Sequence, residues 1–435
     1  MSSVAKTIEA IWQIESAKVI AHVARMVRDV GLAQDLAQDA LVAALEAWPT
    51  AGIPDKPGAW LMTTAKRRAL DHLRHLKLAA PKHAELGREL DAQHAIGAAD
   101  FNDMVDAAID DDIGDDLLRL MFTACHPVLP TEARVALTLR LIGGLTIAEI
   151  ARAFLVPEPT VAQRIVRAKR TLTEAHVPFE VPRGDERAAR LSSVIEVIYL
   201  VFNEGYSATA GEDWVRPALC EDALRVGRIL AGLAPEEPEV HGLVALMEIQ
   251  ASRMRARVGP GGEPVLLLDQ DRARWDQLLI RRGLAALAHA QTLHEVLNGA
   301  LGPCTLQAAI AACHARALTP EKTDWVRIAA LYDALAQIAP SPVVDLNRAV
   351  AVGMAFGPAA GLELVDTLIA EPQLKHYHLL PSVRGDLLYK LGQHDEARAE
   401  FERAASLTSN ARERKLLLTR ALACTPDTSA GHSVN

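Results

Sequence analysis

Apolar residues recur at helical spacing along most of the chain. Ile8, Ile11, Trp12, Val19, Ile20 and Val23 mark a first helix over residues 8–31, with Gly31 expected to close it. A second runs over residues 32–48, LAQDLAQDALVAALEAW, with Leu41, Leu45 and Trp48 on its core face. Its other face carries Asp35, Asp39, Val42 and Glu46, a helical stripe that gathers the acids on one surface. Taken alone, such a stripe also suits a solvated face. Residues 49–58, PTAGIPDKPG, read as a loop. A third helix, residues 59–77, turns Leu61, Ala65, Ala69, Leu73 and Leu76 to a core and projects Thr63, Lys66, Arg67 and Arg74 elsewhere, with Trp60 at its entrance. An aromatic ring beside cations and a hydroxyl suits unpaired bases, although a core tryptophan on an amphipathic helix accounts for the same spacing.

Residues 144–172, GLTIAEIARAFLVPEPTVAQRIVRAKRTL, predict two helices joined by a tight turn. Ile147, Ile150, Ala151 and Phe154 form the apolar face of the first. Thr146 and Glu149 have the spacing of a capping box. Pro157 ends the turn, and Pro159 is tolerated in the first turn of the next helix. There Val161, Ile165, Ala168 and Leu172 face inward, while Gln163, Arg164, Arg167, Lys169 and Arg170 face solvent. This is a helix-turn-helix whose second helix fits a DNA major groove; a basic helix in an ordinary bundle is the plainer alternative.

Composition narrows the class. The chain has 435 residues, half of them hydrophobic and only 4% aromatic, which suits an all-α protein. The formal net charge of −9 excludes a protein that coats nucleic acid by bulk electrostatics, so DNA binding must be local or assisted by a partner. The N-terminus lacks the apolar core of a secretory signal, and no uninterrupted apolar run is long enough to span a bilayer; the expected location is cytoplasmic. Five cysteines lack metal-ligand spacing, and the pairs Cys125-His126 and Cys313-His314 read as buried structural residues. No phosphate-binding glycine loop or catalytic triad is evident, so neither an enzyme nor a cofactor or metal is expected.

DLAQDALVAALEAW, the proline-rich loop and WLMTTAKRRALDHLRH together resemble region 2 of the extracytoplasmic-function sigma factors of bacterial RNA polymerase. The helix-turn-helix segment, residues 129–172, resembles their region 4. The resemblance implies that Asp35, Gln38, Asp39 and Glu46 dock on the β′ clamp helices of core polymerase, with the β flap as a second contact. It implies that Trp60, Thr63, Lys66, Arg67, Arg68 and Arg74 open and hold the −10 element, and that residues 49–58 capture a flipped base. It implies that Thr160, Gln163, Arg164, Arg167 and Lys169 read the −35 element as duplex. Ala162 stands where many relatives carry Lys, which leaves the promoter sequence open.

Expected domains are region 2 over residues 1–95, an acidic linker over 96–116 and region 4 over 117–177. Residues 100–116 carry eight aspartates and no basic residue. In the family the corresponding linker threads the polymerase toward the RNA exit path. After a Pro/Gly boundary near residues 178–185, a helical extension is expected over 186–300, opening on an apolar helix that Asn203-Glu204-Gly205-Tyr206 breaks. Asp269, Asp271 and Asp276 fit no cation loop. Repeat-like helical pairs are expected over 301–425. Gly385, Ala397, Phe401 and Ala404 have tetratricopeptide spacing, and a weaker unit spans residues 325–356. The extension resembles that of a sigma-factor subgroup in which it is thought to regulate activity; its protein or ligand partner is not legible. The reading is a promoter-specificity subunit. The alternative is a helical-repeat scaffold or a one-component DNA-binding regulator.

Overall fold

The computed structural model describes residues 3–79, 116–154, 156–207, 215–297 and 299–424. Among these the regular structure is helical, with one isolated antiparallel bridge between Val258 and Pro264. The chain divides into two compact units, Met1–Ile198 and Tyr199–Asn435.

The first unit opens with three helices, α1 (Ser3–Val27), α2 (Val30–Ala51) and α3 (Pro57–Ala79). The break between α1 and α2 falls earlier than Gly31. Arg28 takes a left-handed φ of 53°, and Asp29 caps α2 by accepting from Leu32 N at 2.8 Å. A capping carboxylate outweighs the weak helix-breaking tendency of Gly31, which sits inside the first turn. The core face of α2 also differs from the sequence expectation. It consists of Ala33, Leu36, Ala37, Ala40, Ala44 and Trp48, while Leu45 is 44% exposed. The alanine stripe lets α1 approach closely, and its Val19, Ile20 and Val23 fill the space. Leu45 then lies on the outer side with Val42.

Four further helices follow: α4 (116–124), α5 (Thr131–Leu141), α6 (Ile147–Phe154) and α7 (Glu158–Glu174). The expected capping box is present: Thr146 N donates to Glu149 Oε2 at 2.7 Å, and Glu149 N donates to Thr146 Oγ1 at 3.2 Å. Of the expected acidic linker, aspartates 100–115 lie outside the described residues. Asp116 corrects that expectation, because it opens α4 fully buried rather than solvated. Arg119, Arg25 and His22 surround its carboxylate.

The next helix, α8 (Asp185–Tyr206), begins in the first unit. Arg190 donates to the carbonyl of Phe122 at 3.1 Å, and Ser193 to that of Cys125 at 2.8 Å, which satisfies acceptors at the end of α4. The first compact unit therefore includes residues past the Pro/Gly boundary.

Asn203-Glu204-Gly205-Tyr206 does not break α8 but forms its last turn. Gly205 serves close packing: a Cβ there would stand 2.8 Å from Leu219 Cβ and Cys220 N on α9 (Pro217–Leu233). Glu204 pairs with Arg216 at 2.5 Å. The second unit continues through α10 (Pro238–Ala251), α11 (Gln277–Val296) and α12 (Pro303–Arg316). Six helices complete it: α13 (Trp325–Ile338), α14 (Pro342–Phe356), α15 (Pro358–Thr367), α16 (Leu379–Lys390), α17 (His394–Leu407) and α18 (Ala411–Ala423). Successive helices pack as hairpins. At the clearest repeat, a Cβ on Gly385 would meet the Phe401 ring at 3.0 Å, so glycine lets α16 and α17 close over buried Ala397 and Ala404. Asp276 caps α11 and Asp271 caps a 3-10 turn, which accounts for two of the three aspartates there.

Candidate nucleic-acid interface

The outer face of α2 carries exposed Asp35, Asp39 and Glu46, with Gln38 half-buried beside them. Exposed Val42 and Leu45 lie among these acids. The surface is thus acidic and apolar at once. Leu45 is the member that sequence reasoning missed; the alanine spacing 33, 37, 40, 44 was the available signal.

On α3, the helical angle places Trp60, Thr63, Arg67 and Arg74 on one side. Thr63, Arg67 and Arg74 are exposed there, and half-buried Trp60 stands edge-on to Trp48 with ring centroids 5.3 Å apart. That contact holds the Trp60 ring in place beside the exposed basic side chains. Lys66 flanks the stripe on one side. Arg68 departs to the other, where it pairs with Asp39 at 3.4 Å. Arg74 pairs loosely with Asp71 at 3.3 Å.

On α7 the buried residues are Val161, Ile165, Ala168 and Leu172, as expected from the pattern. Thr160, Gln163, Arg164 and Arg167 share a second face; Gln163 and Arg167 are exposed, and the other two half-buried. Lys169 is not with them. It lies half a helical turn away, and its Nζ stands 3.8 Å from Asp35 Oδ1 with only 19% of the side chain exposed. Burial, the dominant cause, lowers its pKa below the usual lysine range. Arg170 is exposed and paired with Glu174 at 2.6 Å.

All five cysteines are buried, and burial pushes the Cys125 thiol up to about 11, so it stays protonated and inert. Among the described residues no cluster of His, Cys, Asp and Glu could hold a metal, and no helix is long and apolar enough to cross a membrane.

Residues 13–78 match the model of sigma-70 region 2, residues 119–172 that of sigma-70 region 4, and residues 190–291 a family of unknown function, DUF6596. An uncharacterized protein of Rhizobium meliloti is 44% identical over 89% of each chain. The extracytoplasmic-function RNA polymerase sigma factor SigK of Mycobacterium ulcerans is 31% identical over 36% of this chain and 78% of its own. The probable sigma factor SigI of Mycobacterium tuberculosis is 28% identical over 41% of this chain and 59% of its own. No solved structure matches. Both sigma regions occur in the family's order on one compact unit, followed by a long helical part: the chain belongs to the extracytoplasmic-function sigma factors of the sigma-70 family, non-enzymatic subunits that bring core RNA polymerase to promoter DNA.

Proposed function

We propose that α2 docks on the β′ clamp helices through Asp35, Gln38, Asp39 and Glu46, with Val42 and Leu45 supplying the apolar centre. The observation that carries this is the joint exposure of acids and large aliphatic side chains on one helical face. The α3 stripe of Trp60, Thr63, Arg67 and Arg74, flanked by Lys66 and Arg68, then takes the −10 element as unstacked bases. Unstacking costs a few kcal/mol, and a ring beside cations offsets it. The α7 face of Thr160, Gln163, Arg164 and Arg167 reads the −35 element through hydrogen bonds to base edges in an intact major groove. The β flap is the expected site for the region that carries α7. The net charge of −9 suits this division, since polymerase supplies most of the electrostatic grip and this subunit supplies discrimination.

The helical part beyond the first unit regulates initiation, a role supported by stacked helical hairpins, which present surfaces for protein partners. Transcription from a randomised promoter library, with core polymerase and with or without the full chain, tests the reading. Protein-dependent transcripts sharing two motifs at fixed spacing are expected; none would refute it. A truncation for the regulatory role belongs after Ile198 and not at the Pro/Gly boundary, because Arg190 and Ser193 hold the end of α4. Identical activity of residues 1–198 and the full chain would remove that role.

A further inference from the structure

Four helix ends of the second unit meet at one place. Arg272 ties the 3-10 turn before α11 to the end of α12 and the start of α13, through the carbonyls of His314 and Ala317 and through Thr323 Oγ1. Asp276 N donates to the carbonyl of Ser252 at 2.9 Å, which joins the start of α11 to the end of α10. Trp275 is buried among these segments with Ala256 and Ile280, and the His314 ring lies 5.1 Å from that of Trp325. Residues 253–282 and 314–327 therefore share one end of the α10–α13 stack.

That end is basic in a chain of net charge −9. Its two segments hold ten Lys and Arg residues against six Asp and Glu. Three of the six acids serve as caps: Asp271 accepts from Ala273 N, Asp276 from Leu278 N and Leu279 N, and Asp324 from Arg327 N. Arg255, Arg274, Arg316, Lys322 and Arg327 stand exposed, and none has an ion-pair partner among the described residues. On α16 and α17, by contrast, basic side chains pair: Lys390 with Asp386 at 2.8 Å, Arg384 with Asp366 at 2.8 Å and Arg398 with Glu402 at 2.9 Å. Aliphatic side chains are exposed at the same end as the unpaired cations. Leu318 is 80% exposed, and Leu266, Leu278 and Val326 are exposed with it. A single exposed leucine needs no explanation, but several among unneutralised cations mark an interaction surface.

We propose that this end of the second unit docks an acidic, aliphatic-rich segment of another protein. Its carboxylates are set against Arg255, Arg274, Arg316, Lys322 and Arg327, and its aliphatic side chains against Leu318 and Val326. The inference deepens the regulatory reading of this helical part by naming its surface, and rests on that reading only for an effect on initiation. Charge complementarity selects the partner: the exposed cations repel one another, and carboxylates from outside relieve that repulsion and steer the encounter. The leucines and valine favour protein over duplex DNA, whose phosphates take cations but give aliphatic side chains nothing to cover them. Four of these five cations are arginines, the basic residue enriched in protein interfaces.

Short displayed peptides drawn from Asp, Glu, Leu, Val, Ser, Gln, Lys and Arg, selected on the full chain, test the surface. The enriched sequences are expected to carry acids next to Leu or Val. They should bind a variant with both Arg274→Glu and Lys322→Glu weaker by about tenfold or more. Both residues are exposed and unpaired, so thermal unfolding of that variant should match the wild type. Leu318→Asn is expected to lower affinity without changing its salt dependence, whereas the double variant lowers both. Enrichment of sequences without acids, or equal binding by the double variant, overturns the surface. Tighter binding of a random-sequence duplex than of any selected peptide overturns the protein partner. So does self-association that the double variant abolishes, or a peptide of residues 100–115 that outcompetes every selected one. Selected peptides that bind as expected but leave promoter-library transcription unchanged uphold the surface and remove the regulatory role, so the two failures are read apart.

Discussion

Exposed arginines of the first unit contrast with inward-turned ones of the second, although the first also holds buried Arg190 on the Phe122 carbonyl. In the first, Arg67, Arg74 and Arg167 stand exposed on helical faces, Arg74 in a loose pair with Asp71. In the second, several guanidinium groups are turned inward. Arg272 donates to the carbonyls of His314 and Ala317, 2.8 and 2.5 Å away, and to Thr323 Oγ1 at 3.1 Å, closing the C-terminal end of α12. Arg257 donates to the Tyr206 carbonyl at the end of α8 and lies 3.7 Å from the centre of the Tyr206 ring. Glu248, only 2% exposed, is held by Arg228 at 2.8 Å and Arg282 at 3.4 Å. Cations at helix C-termini complement the macrodipole and satisfy orphan carbonyls. Arginine on a surface is placed where a partner could meet it; arginine inside a helical stack determines how the helices meet. A basic residue count therefore says little until burial is known.

Several substitutions separate these two uses. The largest effect is expected from Asp39→Arg, which reverses the charge on the proposed docking face; core polymerase binding should fall by about 2–5 kcal/mol, as at other desolvated charge contacts. Co-purification with polymerase checks this, and the melting temperature should barely move, since Asp39 is 56% exposed. Next is Arg272→Met, which strands the acceptors at the end of α12. About 2–4 kcal/mol of second-unit stability should be lost in denaturant titration. Arg167→Ala should do the reverse of Arg272→Met. Unfolding should be unchanged, while use of a matched −35 sequence falls by about 1–3 kcal/mol against a mismatched one in transcription assays.

The smallest effect is a pH slope. Burial, followed by the charges of Arg253 and Arg272, pushes the His314 imidazole down to about 3. Its folded pKa lies below the unfolded value, so its neutral form contributes stability that is fully present above about pH 6.5 and lost as pH falls toward 3. The second unit should lose up to about 1.4 kcal/mol per pH unit from this group across that window. His314→Gln should flatten the slope in thermal scans at pH 7 and pH 5.

Much of the candidate interface's local geometry was legible because it depends on local periodicity. The capping box of Thr146 and Glu149, the buried stripe of α7 and the acids of α2 all follow from residues three and four apart. Where the reading failed, a long-range partner decided. Leu45 faces outward because the alanines of α2, not its leucines, admit α1. Gly205 reads as a helix breaker, yet α9 needs the space that its missing side chain leaves.

The sequence by itself determined the helical class, the order of the two sigma regions and the residue types on each exposed face, because 3.6-residue periodicity and capping are properties of neighbouring positions. Only the tertiary structure decided that Lys169 meets Asp35 across 134 positions, that Asp116 is a buried hub rather than a linker acid, and that Arg272 holds α12. Those facts depend on which distant surfaces come together. Packing and charge pairing between elements establish that, and no local pattern encodes it.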